Sequence, residues 1–106
     1  MKIVITSMSD SLTSTFDRRF GRAAWFCILD TEDEAIRFIP NEHVNASNGA
    51  GLKAAETMGE LKVTKVISGD FGPKAKQLLD KFGIQMVMMD EADILIEEII
   101  ERLNHN

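Results

Sequence analysis

The chain has 106 residues, with 12 Lys+Arg against 17 Asp+Glu and a formal net charge of −5. Hydrophobic residues make up 44% of it, enough for one core, and no linker or repeat divides residues 1–106, so one domain is expected. No apolar run approaches the ~18 residues of a membrane span, the apolar stretch after Met1 is too short for a signal peptide, and Cys27 alone forms no internal disulfide. A cytoplasmic protein is expected, and the acidic balance argues against nucleic acid, whose binding rests on neutralising phosphates.

Ile3-Val4-Ile5 is a short β-branched run suited to a central strand buried on both faces. Residues 6–24 are polar and hydroxyl-rich without a sustained period. Loops longer than ~12–15 residues are usually functional or disordered, which makes this segment the first place to look for function. Trp25 to Leu29 reads as a second buried strand, residues 30–34 as a polar turn, and Ala35 to Ile39 as a third strand ended by Pro40. A turn that short implies an antiparallel hairpin.

From residue 49 onward helix and strand alternate. Leu52, Ala55, Met58 and Leu61 recur at helical spacing behind Asn48, the expected N-cap. Val63 to Ile67 reads as a strand, and Pro73 suits the first position of a helix whose stripe is Ala75, Leu78, Leu79 and Phe82 and whose stop is Gly83. Gln85 to Met89 is the last strand, with Met86 and Met88 read as core packing rather than soft-metal ligands. Asp90 is the expected cap of a final helix buried through Ala92, Leu95, Ile96, Ile99, Ile100 and Leu103.

The order β-β-β-α-β-α-β-α requires parallel pairing across the two later crossovers, with the hairpin at one side. The fold class expected is therefore α/β, a mixed five-stranded sheet in the order 3-2-1-4-5 with helices on both faces. Ligands of open α/β sheets sit beyond the carboxyl ends of the parallel strands. Three informative segments converge on that edge: residues 6–24, residues 40–51, and Ser68 to Pro73.

The first segment carries Arg18, Arg19 and Arg22 around Phe20-Gly21. Arginine forks suit an anion, although a basic turn paired with carboxylates such as Asp17 explains them as well. The second has Asn48-Gly49-Ala50-Gly51 at a helix start, and the third has Gly69 and Gly72 before Pro73. Helix N-termini with free amides favour anions, and an ordinary glycine turn is the alternative reading. Neither segment matches a Walker loop or a dinucleotide fingerprint. Catalytic chemistry has little to stand on. Cys27 lies mid-strand as an inert thiol, His43 on the same edge is a candidate metal ligand or hydrogen-bond donor, with a plain surface residue the commoner case for a lone histidine, and His105 near the C-terminus is uninformative. Asp10, Asp17 and Asp70 are possible cation ligands that no spacing rule selects.

Arg19-Phe20-Gly21-Arg22-Ala23, followed by Trp25-Phe26 and a strand ending in Asp30, resembles the dinitrogenase iron–molybdenum cofactor biosynthesis family. Gly49-Ala50-Gly51 and the turn Gly69-Asp70-Phe71-Gly72-Pro73-Lys74-Ala75 extend the resemblance over the whole chain. The resemblance implies a ribonuclease H-like fold. It also implies binding, carriage or assembly of an anionic metal–sulfur cluster, an iron–molybdenum cofactor precursor or a related molybdenum–sulfur species, in exchange with donor or recipient proteins. Many members have His immediately before Phe-Gly-Arg, where this chain has Arg19, so charge replaces direct ligation at that position. No acidic residue lies in the middle of Lys2 to Thr6, which argues against two-metal nuclease chemistry.

The leading expectation is a non-enzymatic cluster carrier. Arg19 and Arg22 supply charge, and Phe20-Gly21 lets the loop approach closely. Thr6 and Ser7 offer hydroxyls, and backbone donors come from Asn48, Gly49, Gly51, Gly69 and Gly72. His43 is the candidate metal ligand. The alternative is a regulatory or interaction domain that binds a small anionic metabolite on the same edge. A hydrolase or transferase lacks a credible nucleophile–base pair.

Overall fold

A computed structural model describes residues 1–104, so His105 lies outside the described residues. The strands are β1 (Lys2–Ser7), β2 (Trp25–Asp30), β3 (Ala35–Pro40), β4 (Lys65–Ser68) and β5 (Gln85–Met88), and the helices are α1 (Ala50–Glu60), α2 (Pro73–Lys81) and α3 (Ile96–Asn104). They form one sheet in the order β3-β2-β1-β4-β5. β1 and β2 pair antiparallel, as do β2 and β3, whereas β1 with β4 and β4 with β5 are parallel. The expected topology is the one observed, because two strand–helix–strand crossovers and one hairpin leave little else open.

The alternation of side chains along the strands splits the core in two. Val4, Phe26, Ile28 and Val66 face α1 and α2, packing on Ala54, Ala55, Met58, Ala75 and Leu79. Ile3, Ile5, Cys27, Leu29 and Ile67 face the other way, onto Phe16, Ile94, Ile96 and Ile99 around α3. Helices therefore cover both faces. Among the described residues no helix is long and apolar enough to cross a membrane.

Several local expectations are corrected. The chain enters α1 through Gly49 in the left-handed region (φ 71°), so Asn48 lies one residue outside and no side chain caps the helix. The stripe of α1 also turns: Ala54, Ala55 and Met58 are buried while Leu52 is exposed, and the helix packs closely on α2. α3 starts at Ile96, not near Asp90, because residues 90–95 form a turn with Asp93 at φ 63°. Glu98 folds back to accept the Leu95 N–H at 3.1 Å and takes the place of the expected Asp90 cap. Ala92 is exposed, and so is Met88, the last residue of the edge strand β5. Pro73 at the start of α2 and Gly83 (φ 72°) beyond its end sit as expected.

Candidate functional site

The long loop after β1 is ordered by backbone bonds. Met8 N–H donates to the Thr15 carbonyl at 3.0 Å, Phe16 N–H to the Ile94 carbonyl at 2.8 Å, and Asp17 N–H to the Thr6 carbonyl at 3.0 Å. The same loop closes the start of α3, whose Ile96 and Glu97 amides donate to the carbonyls of Ser14 and Leu12, both at 2.9 Å. Residues 17–22 then run across the carboxyl edge of the sheet, and Phe20 N–H donates to the Asp70 carbonyl at 3.1 Å.

Two glycines permit that crossing. A Cβ on Gly69 would lie 2.5 Å from the Arg18 Cβ and 2.7 Å from its carbonyl oxygen. A Cβ on Gly21 would lie 2.6 Å from the Gly51 amide nitrogen. Beneath the crossing, the buried Phe20 ring packs on Phe71 at 5.2 Å and on Phe26 at 6.3 Å between centroids. The loop after β1, the start of α1 and the turn after β4 thus meet in one place, as the topology requires.

The arginines are more committed than their spacing suggests. Asp17 is only 1% exposed, and its carboxylate takes Arg19 side-on: Nε to Oδ1 and Nη2 to Oδ2, both at 3.0 Å, with the Arg19 backbone N–H also on Oδ1. The hydrogen bonds and the charge of Asp17 hold the Arg19 guanidinium above its already high pKa. Arg18 pairs with exposed Asp90 at 3.2 Å. Arg22 donates from Nη1 to the carbonyls of Val44 and Ala46 at 2.9 and 2.6 Å, fastening the 41–49 loop.

Other expected donors are turned inward. Thr6 and Ser7 are buried: Thr6 Oγ1 donates to the Asp17 carbonyl and bonds Ser68 Oγ, and Ser7 Oγ donates to the Ser9 carbonyl. With Phe20 fully enclosed as well, these three residues build the loop and do not face a ligand. Asn41, which the sequence did not single out, is buried and holds the site from below. Its Nδ2 donates to the carbonyls of Gly21 and Ala23, and its Oδ1 accepts the His43 N–H.

What remains exposed on the edge has two parts. A hollow of about 310 Å³ is lined by Met8, Asp17, Arg18, Arg19, Gly69, Asp70 and Asp90. Beside it the starts of α1 and α2 lie together, since a Cβ on Gly51 would sit 3.5 Å from that of Ala75. Neither helix has a side-chain cap bond or an acidic residue in its first turn. Lys53 in α1 and Lys74 and Lys76 in α2 are exposed in those turns instead. Cations at a helix N-terminus oppose the dipole, so the arrangement is relieved by an anion. Gly72, the residue before α2, has φ 74°, and its N–H donates to Asp70 Oδ1 at 3.2 Å.

His43 lies apart from the hollow, in a groove of about 590 Å³ with Asn41, Glu42, Lys53 and Glu56. Among the described residues no three His, Cys, Asp or Glu side chains gather as a metal cage. Asp17 and Asp70 share the hollow, but Asp10 does not line it. Cys27 is enclosed in the sheet, and burial pushes its thiol up to about 12. The hollow's three carboxylates are each engaged, Asp17 by Arg19, Asp90 by Arg18 and Asp70 by the Gly72 N–H, and the arginines and lysines of this edge suit an anion better than a bare cation.

The profile described as "Dinitrogenase iron-molybdenum cofactor" matches residues 1–106. The chain belongs to this family. Among solved structures, the apo form of the orange protein from Desulfovibrio gigas is 30% identical, with a TM-score of 0.88 over 98% of this chain and 87% of that one. A Thermotoga candidate NifB protein of the DUF35 family, solved by NMR, is 24% identical with a TM-score of 0.82 over 99% and 88% of the two chains, a likeness of fold alone. No curated protein matches the chain. In this member of the iron–molybdenum cofactor family, the glycine turns of the resemblance are the points where the three edge segments touch.

Proposed function

We propose that the protein is a non-enzymatic carrier or assembly partner for an anionic metal–sulfur cluster, its cargo being an iron–molybdenum cofactor precursor or a related molybdenum–sulfur species. The observation that carries this reading is the pair of uncapped helix starts, α1 and α2, set side by side with lysines in their first turns. α3 provides the contrast: its first amides are already taken by the carbonyls of Leu12 and Ser14. Membership of the family supplies the class of anion.

In this reading the cluster rests against the paired starts of α1 and α2 beside Gly49, under Lys74, Lys76 and the exposed edge of Arg19, while the Gly72 N–H is held by Asp70 Oδ1 and the Gly51 amide lies against Gly21. Arg22 and Gly21 hold the loop against the helix start. Backbone amides and lysines ligate no metal covalently, so the cargo is exchanged with donor and recipient proteins without breaking protein–metal bonds. Cytoplasmic residence and a lack of affinity for nucleic acid go with this role.

The test is anaerobic production in a cluster-competent host, followed by metal and sulfide analysis and a visible absorption spectrum. Stoichiometric molybdenum or iron with sulfide, reduced several-fold in Lys74→Gln/Lys76→Gln, is the expected result. A metal-free protein that also refuses reconstitution with tetrathiomolybdate overturns the reading in favour of a small anionic metabolite.

A further inference from the structure

We infer that Asp17 and Arg19 together form a preorganised receptor for a tetrahedral oxo- or thio-anion in the hollow beyond β1 and β4, with Asp17 as the positioning residue. The inference rests on the reading that this sheet edge binds anions and assigns the contact point and the device.

Asp17 takes one side of the guanidinium through Nε and Nη2, both at 3.0 Å. The Arg19 backbone N–H on the same carboxylate oxygen fixes the residue from a second direction. The two Nη1 hydrogens and the second Nη2 hydrogen make no hydrogen bond among the described residues. The Arg19 side chain is 64% exposed, whereas Asp17 is 1% exposed. The carboxylate lines the floor of the hollow with both oxygens engaged by Arg19, and so leaves the fork's free edge as the more exposed part of the pair.

Arginine normally loses rotamer freedom when it clamps a ligand, and here that loss is already incurred in the folded protein. Room is adequate: about 310 Å³ corresponds to roughly ten water volumes, enough for a one-metal tetrahedral anion. The second cation of the hollow behaves differently. Among the described residues the Arg18 side chain is tied only to Asp90, whose side chain is fully exposed, and such a surface pair yields readily to a competing anion. Asp70 faces the same space, and its Oδ1 is engaged by the Gly72 N–H.

The test separates preorganisation from simple charge, because the two predict opposite signs for one variant. Asp17→Asn removes a negative charge beside the hollow, so an electrostatic site would bind anions more tightly. A preorganised site weakens, because the amide cannot accept both guanidinium contacts. Titration of purified protein with tetrathiomolybdate and with molybdate, read by absorption and calorimetry, is expected to show Asp17→Asn and Arg19→Gln weaker by about tenfold or more. Arg19→Lys keeps the charge and the salt dependence but loses the fork, and is expected to weaken similarly; thermal unfolding checks that each variant is folded. Asp17→Asn binding as well as or better than wild type, or Arg19→Lys matching it, overturns the inference while leaving the proposed function intact. A wild-type protein that binds neither anion overturns both.

Discussion

Gly21→Ala tests how the loop over the sheet edge meets α1. The added Cβ would lie 2.6 Å from the Gly51 nitrogen, 2.7 Å from the Gly51 Cα and 2.9 Å from the Ala50 carbonyl carbon. All three are backbone atoms of a helix start, so no side-chain rotation relieves the overlap and the loop must lift. Overpacking in a closed interior costs about 1–3 kcal/mol. Gly21 is not in the left-handed region, so alanine returns about 0.4–1 kcal/mol by restricting the unfolded chain. The net expectation is a loss of about 1.5 kcal/mol, or roughly 6–12 °C in Tm for a domain of this size. Urea unfolding followed by Trp25 fluorescence measures it, with the m-value unchanged. Gly51→Ala is the matched control. Its Cβ would meet Ala75 at 3.5 Å and the Phe71 carbonyl oxygen at 3.7 Å, ordinary contacts, and alanine favours the helix. It is expected to gain up to about 0.5 kcal/mol. Gly21→Ala indistinguishable from wild type, or Gly51→Ala losing as much, would refute the packing argument.

Three further outcomes follow from the same contacts. Arg22→Ala removes the two guanidinium bonds to the Val44 and Ala46 carbonyls, and a loss of about 2 kcal/mol is expected, with faster amide exchange confined largely to residues 41–49. Phe20→Ala empties a fully buried ring site between Phe26 and Phe71, at a cost of about 3–5 kcal/mol in chemical denaturation. Burial raises the Cys27 pKa from 9.0 to about 12, so between those values the unfolded chain sheds a proton that the native state keeps. Stability is therefore expected to be unaffected by this group below pH 9.0 and to fall as pH rises through the window. Unfolding at a series of pH values checks it, since Cys27→Ala should lose that component of the slope, and the native thiol should resist alkylation near neutrality.

Much of the architecture was legible because its causes are local. The β-branched run Ile3-Val4-Ile5, the stripe from Ala75 to Leu79, and Pro73 and Gly83 at the ends of one helix act through backbone preference and side-chain spacing within a few residues. Once the order of elements was known, crossover handedness and one hairpin led to the sheet order. The same topology brought residues 6–24, 40–51 and 68–73 to one edge. The helix starts at Gly49 and Ile96 were misplaced because capping depends on backbone entry angles, which a left-handed Gly49 or Asp93 resets without altering the hydrophobic period.

The roles of the polar side chains were the least legible. Three arginines within five positions have the same appearance in sequence, yet one is held by a buried carboxylate, one by an exposed aspartate 72 residues away, and one by two carbonyls of another loop. Thr6 and Ser7 looked like ligand donors and are used up inside the loop. A charge or hydroxyl is selected by whatever partner the fold places within about 3 Å. The sequence by itself determined the elements, their order and which segments meet at one sheet edge, because those follow from short-range backbone physics and chain connectivity. Only the tertiary structure decided which donors on that edge are spent and which stay free, because hydrogen bonding and desolvation are settled by distances between residues far apart in the chain.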